Sequence, residues 1–314
     1  MNNIMYLIIF FIIILVFWKQ ILSLLNTHMP NRVVPNRVVP DKIVVFDLDE
    51  TLGCFVEVGV FWDALEAYAK LPSGQAGPSG QAYANNKLTS TDFFEMLDIF
   101  PEFFRPNILK ILKHVLKKKN QNACAQLLIY TNNQGPSSWV RMISEYFDSK
   151  LGQKVFDRVI GAYKINGRLV EPKRTSHEKS VVDLNNCADL PANAEICFID
   201  DLYHPAMDKS NVYYINIQPY HVSLPFEEMA TRYYTAKHMS NKHMSNTDFV
   251  KFVTTFMKQY KIIVAPKSDA EKQSDLIVSK KLHSYLAHFL SKKNDKSTRK
   301  VRLHKNAQTK HVKK

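Results

Sequence analysis

Four short apolar runs, at residues 43–46, 127–130, 196–199 and 212–217, end abruptly in polar or acidic residues, and stretches of helical period separate them. Runs this short, rich in Ile, Val and aromatic residues, are the pattern of strands buried on both faces. Strands alternating with helices predict an α/β fold with a Rossmann-like parallel sheet flanked by helices. Ligands of such folds bind beyond the carboxyl ends of the strands. The residues that close each run are therefore the first candidates for function.

The first run reads VVFDLDETLG over residues 44–53. Strand side chains alternate, so Asp47 and Asp49 point to one side while Leu48 packs on the other. Two carboxylates this close repel unless a proton or a cation intervenes, which points to a hard metal such as Mg²⁺ held through oxygens. The second run closes on Thr131, Asn132 and Asn133, and the third on Asp200 and Asp201. Between them lie Lys173, after a proline in an apparent loop, and Lys179, in the first turn of an expected helix led in by Thr-Ser-His-Glu. A lone D-x-D is as readily a solvated turn. The ordered series Asp, Thr, Lys, Asp at successive element ends is what sets this chain apart.

That series resembles the haloacid dehalogenase (HAD) superfamily, whose motifs run D-x-D-x-T, a strand ending in Thr or Ser, a Lys, and a terminal acidic pair. The resemblance covers about residues 43–217. DLDETL at 47–52 and FFRPNILKIL at 103–112 look closest to the branch of RNA polymerase II C-terminal-domain phosphatases, while TNNQG at 131–135 is more similar to histidinol-phosphate and polynucleotide 3′-phosphatases. The resemblance implies a HAD-like fold and a Mg²⁺-dependent phosphomonoesterase working through an aspartyl-phosphate. Asp47 would be the nucleophile and Asp49 the acid and base. Thr131 and Lys179 would bind the phosphoryl group, with Lys173 the other candidate lysine. Asp47, Asp200 and the backbone carbonyl of Asp49 would hold the metal. Thr51 and Asp201 are expected to support the site, Thr51 by fixing the loop and Asp201 by orienting Lys179 or a metal-bound water. Asn132 is expected beside the substrate, setting the turn after Thr131, and Arg174 and His177 read as solvated surface.

Residues 53–104 form the expected cap insert, with a small hairpin flap at 55–61 and short helices at 62–70 and 91–100. A small lid leaves room for a macromolecular phosphoester. Further helices are expected from residue 108 and near 137–147, 177–184, 247–260 and 269–290. The aromatic pairs at 93–94, 103–104 and 213–214 read as core. Four scattered cysteines without C-x-x-C spacing argue against structural zinc and a disulfide framework.

Outside this domain, residues 4–18 are uninterrupted apolar residues, and the pattern resumes at 21–25. About 20 such residues span a bilayer, so residues 1–26 are expected to be a retained membrane anchor. The basic residues Lys19, Arg32, Arg37 and Lys42 follow it, placing the domain in the cytosol by the positive-inside rule. The tandem pentamers PNRVVPNRVVP read as a spacer over 27–41, the catalytic domain as 42–266, and 267–290 as a C-terminal helix. The net charge of +13 is misleading: residues 291–314 carry ten Lys or Arg against Asp295, nine of the thirteen charges, and read as a disordered basic tail. Nucleic acid or an anionic membrane is its expected partner. Phosphoserine or phosphothreonine of a protein is the leading substrate class. A polynucleotide 3′-phosphatase, a small-molecule phosphatase and a membrane-tethered binding module with a degenerate fold are the alternatives.

Overall fold

The computed structural model describes residues 41–71, 87–239, 245–291 and 301–303. The expected anchor, most of the spacer and most of the basic tail lie outside these residues. Among the described residues no helix is long and apolar enough to cross a membrane.

The chain is α/β, as its alternating runs predict. Strand β1 (Lys42–Phe46) is followed by helices α1 (Val56–Ala69), α2 (Ser90–Ile99) and α3 (Ile108–Asn120), then β2 (Gln126–Tyr130), α4 (Ser137–Leu151) and β3 (Arg158–Ile160). A two-stranded hairpin, β4 (Lys164–Ile165) and β5 (Arg168–Leu169), precedes α5 (Val181–Ala188), β6 (Glu195–Asp200) and β7 (Val212–Ile217). Helices α6 (Phe226–Ala236), α7 (Asn246–Lys258) and α8 (Asp269–Ser291) follow, then β8 (Val301–Leu303). The sheet order is β3-β2-β1-β6-β7-β8 and every pair is parallel. β8 comes from the segment expected to be tail and adds an edge strand there.

Alternation along the strands divides the core. Val44, Phe46, Leu127, Ile129, Cys197 and Ile199 join one large cluster with α1–α4 and α6–α8, whereas Ile43, Val45, Leu128, Tyr130, Ile196 and Phe198 join a smaller one with α5. The large cluster is dense in edge-to-face aromatic contacts, such as Trp62 with Phe93 at 5.1 Å and Tyr68 with Phe249 at 5.1 Å. Such pairs add to the area they bury. Of the aromatic pairs expected to be core, all but Phe94, which is half-buried, are buried.

Three expectations are corrected. The flap at 55–61 is the first half of α1: Val56, Val58 and Val60 suggest a strand, but a helix lets Val58, Phe61 and Leu65 enter the core together, and Gly59 admits the Trp139 ring, which a Cβ there would meet at 3.1 Å. The helix expected from residue 177 starts at Val181, because Ser180 caps it by accepting a hydrogen bond from the Asp183 amide. Lys179 consequently lies in the loop before α5. Helix α6 and the β4–β5 hairpin were not foreseen.

Candidate active site

The carboxyl ends of β1, β2 and β6 meet at one rim because these strands are adjacent and parallel, with Phe46 in register with Ile129 on one side and Ile199 on the other. The Asp47 amide continues the ladder, donating to the Ile199 carbonyl at 2.9 Å. The loop after β1 then turns sharply. Glu50 takes a left-handed conformation (φ 58°), and its amide donates to the Gly53 carbonyl at 2.6 Å. Gly53 is required by space: a Cβ would lie 2.5 Å from the Phe103 carbonyl oxygen and from the Phe55 ring.

Two buried arginines brace this rim. Arg105, from the sequence RPN, donates through Nε to the Thr51 carbonyl at 2.6 Å and through one terminal nitrogen to the carbonyls of Glu50 and Gln218. It ties the loop after β1 to the end of β7. Burial pulls its guanidinium down to about 10, against nearby Asp275 and Asp201. Arg174 lies over the Tyr130 ring and donates to the carbonyls of Thr131 (3.1 Å), Gly161 (2.8 Å) and His177 (3.1 Å). It is 2% exposed, which corrects the solvated-surface reading: Arg174 locks the ends of β2 and β3 to the lysine loop.

Lys179 is the lysine of the site. Its Nζ, buried, donates to Asp47 Oδ1 and, at 2.7 Å, to Asp200 Oδ2. Lys173 is exposed and pairs instead with Asp189 at 2.8 Å. Asp201 accepts from Thr51 Oγ1 at 3.1 Å, so the two supporting residues serve each other and Asp201 does not hold Lys179. Asn132 donates to the His177 carbonyl at 3.0 Å and does not make the turn. That role falls to Asn133, which sequence reading did not single out. Its amide donates to Thr131 Oγ1 (3.0 Å), its side-chain oxygen accepts from the Gly135 amide (2.9 Å), and its Nδ2 donates to Asp49 Oδ2 (2.7 Å). The signal was the doubled Asn in TNNQG. His204, also unforeseen, brings Nε2 within 3.4 Å of Asp200 Oδ2.

The electrostatics are strongly differentiated. Burial pushes the Asp47 carboxyl well above the usual range, with Asp200 and Asp49 adding to the rise and Lys179 opposing it. Burial also raises Asp49, moderated by the Asn133 hydrogen bond. At Asp200 burial is outweighed by Lys179 and His204, which hold that carboxyl below its ordinary value. Burial and then Asp200 raise Asp201 to about 6. Burial works against the Lys179 charge, but Asp47 and Asp200 prevail and raise its pKa.

Asp47, Asp200 and Asp201 each offer an oxygen within 4.8 Å of the others, a buried all-oxygen set able to hold a metal ion. The donors fit a hard cation, and Asp47, raised as it is, lacks the charge that would keep it ionised. The Asp49 carboxylate is outside this set: it faces Asn133, and its buried Oδ1 has no hydrogen-bond partner among the described residues. No family model and no curated protein matches this chain. The site thus combines an acid with one uncommitted oxygen, a lysine spanning two carboxylates, and a hydroxyl at the end of the neighbouring strand. Such a set can place negative charge, neutralise it and move a proton within one pocket.

Proposed function

We propose that the chain is a Mg²⁺-dependent phosphomonoesterase that forms an aspartyl-phosphate on Asp47, as its resemblance to the haloacid dehalogenase superfamily implies. The observation that carries this reading is the convergence of Lys179 on Asp47 and Asp200 beside an Asp49 whose Oδ1 has no partner among the described residues.

The Asp47 carboxylate attacks phosphorus, an O–P bond forms, and the bond to the substrate alcohol breaks. Asp49, whose carboxyl burial raises above its ordinary value, acts as the acid and gives a proton to the departing alkoxide. It then takes a proton from the water that attacks the aspartyl-phosphate, and inorganic phosphate and free Asp47 result. Lys179 balances the charge of Asp47 and the phosphoryl oxygens. Thr131 donates its hydroxyl to a phosphoryl oxygen, held ready by its contact with the Asn133 amide. Mg²⁺, held by Asp47, Asp200 and the Asp49 carbonyl with Asp201 close by, would supply the neutralisation that keeps Asp47 ionised.

The substrate class we favour is phosphoserine or phosphothreonine in a polypeptide. Glu50 in the loop after β1 and Glu57 in the first turn of α1 put acidic side chains beside the rim, which disfavours a polynucleotide backbone there. We further propose that residues 4–25 hold the protein in a membrane with this domain in the cytosol, which protease protection in sealed vesicles tests.

The deciding experiment compares the full chain on an aryl phosphate with Mg²⁺ and with chelator, then on a phosphoserine peptide and a 3′-phosphorylated oligonucleotide. Mg²⁺-dependent turnover and a larger kcat/KM for the peptide are expected. Absence of any turnover would favour a binding module, and a larger value for the oligonucleotide a nucleic-acid end phosphatase.

A further inference from the structure

A second concavity lies on the same edge of the sheet as the acids. Its walls are the loop and first turn after β1, the segment leaving the carboxyl end of β7, and the approach to α8, and its volume is about 420 Å³. Cys54 lines it, and the preceding Gly53 is bridged to Asp49, so one wall belongs to the loop that carries the candidate acid. His221 also lines it, with Nε2 3.4 Å from Glu50 Oε2. The loop from Asp47 to Cys54 thus joins the candidate site to this cavity.

The charges inside are unevenly satisfied. Lys267 is taken up by Asp275 and by the Tyr220 ring, 4.1 Å away. His221 faces Glu50. Glu57 is 3% exposed, yet among the described residues the one hydrogen bond to its carboxylate comes from the Leu224 amide, donating to Oε1 at 3.3 Å. Burial lifts this carboxyl to about 7, with the Leu224 amide opposing. A buried carboxylate served by one amide is short of positive charge. The lip is apolar: Val56 is 65% exposed and Ile263 is 87% exposed. An acid at the base and aliphatic groups at the lip suit a long side chain with a methylene stem and a cationic head.

We infer that this cavity is a specificity pocket that takes a lysine or arginine side chain of the substrate polypeptide, near its phosphorylated residue, with Glu57 as the anchor. The inference rests on the phosphoprotein reading above. It assigns Glu57 to substrate selection, and no bond changes in the pocket.

The test uses the full-length protein and phosphoserine peptides in which arginine or its uncharged isostere citrulline is placed at each position from four before to four after the phosphoserine. At one or two adjacent positions the arginine peptide should have a kcat/KM about 10–100-fold higher, as a charge-assisted hydrogen bond in a desolvated site provides. Glu57→Gln should reduce that ratio toward one. A wild-type ratio near one at every position overturns the inference, as does a large ratio that Glu57→Gln leaves unchanged. Hydrolysis of an aryl phosphate with no peptide turned over overturns the phosphoprotein reading and this inference together, an outcome distinct from equal turnover of all peptides. A second measurement needs no variant. Cys54 is partly exposed, whereas Cys124, Cys187 and Cys197 are buried, so the rate of thiol alkylation reports on this wall. A phosphonate analogue of the preferred arginine peptide should slow Cys54 alkylation several-fold more than its citrulline counterpart, and equal rates would place the basic residue elsewhere.

Discussion

The strand-end rim and the helical block that the insert forms with α6 and α7 are buried alike but held together by opposite means. At the rim the buried side chains are Asp47, Thr51, Arg105, Thr131, Arg174, Lys179 and Asp200, joined by directed bonds at fixed distances. In the block of α1, α2, α6 and α7 they are Phe61, Trp62, Phe93, Tyr233 and Phe249, joined by contact area and ring geometry. Grouping several acids with one lysine costs folding free energy, because each charge gives up water. Aromatic burial supplies free energy without chemistry. The comparison teaches a division of labour: one region gathers the charged groups on which the proposed chemistry depends, and the other supplies the stability that lets them stay grouped.

The sharpest way to break this division is Asp47→Asn. Loss of the nucleophile should cut aryl phosphate turnover by about 10⁴-fold or more, while the melting temperature holds or rises, because a buried group driven toward protonation is replaced by a neutral amide. Calorimetry beside a rate assay checks both halves, and a large drop in melting temperature would show the rim to be structural. The converse is Phe249→Ala, expected to cost about 3–5 kcal/mol of stability in denaturant unfolding while kcat of the folded fraction stays within about twofold, since Phe249 touches Tyr68, Tyr233 and Tyr234 and no group of the site. Between these lies Asn133→Ala. Without its side-chain hydrogen bonds to Asp49 and from the Gly135 amide, kcat should fall about 10–100-fold with little change in melting temperature. The smallest effect concerns Glu57, a charge-bearing exception within the insert. Its folded pKa of about 7 stands above the ordinary 4.5, so the folded state binds more protons than the unfolded state between those values. Stability from this group is therefore full below about 4.5 and is lost as pH rises toward 7. Glu57→Gln should flatten the decline in melting temperature over that window, and parallel curves for the two proteins would show that the carboxyl ionises freely.

The two regions were also unequally legible. At the rim, strand period and the position of each acid at the end of an apolar run reduce the question to which side chains share an edge: Asp47, Thr131 and Asp200 follow from order, whereas order leaves Lys173 and Lys179 both open. What order does not carry is hydrogen-bond direction. Asn132 and Asn133 are equivalent in a string of letters, and only the turn decides that Asn133 reaches Asp49. The Thr51–Asp201 contact is likewise made across 150 residues. In the insert, β-branched residues at alternate positions imitate a strand, and tertiary packing overrides that local preference in α1. Helix α6 was within reach: Phe226, Met229, Ala230, Tyr233 and Tyr234 recur at helical spacing and are buried. So was the β4–β5 hairpin, whose Asn166-Gly167 turn has both residues at positive φ, the pattern that two-residue hairpins demand.

One contact at the opposite edge of the sheet has a further consequence. Lys42, the first residue of β1, donates through Nζ to the Phe289 carbonyl at 2.7 Å, and the Phe289 ring stacks on Tyr213 near the start of β7. The last turn of α8 is thereby fastened where β1 begins. Residues 41 and 291 sit at neighbouring corners on the amino edge, while the acids occupy the carboxyl edge, a strand length of roughly 16 Å away. For anyone labelling the domain, a pair of dyes placed beside Lys42 and Ser291 would report on the seating of α8 at the end of the sheet away from Asp47.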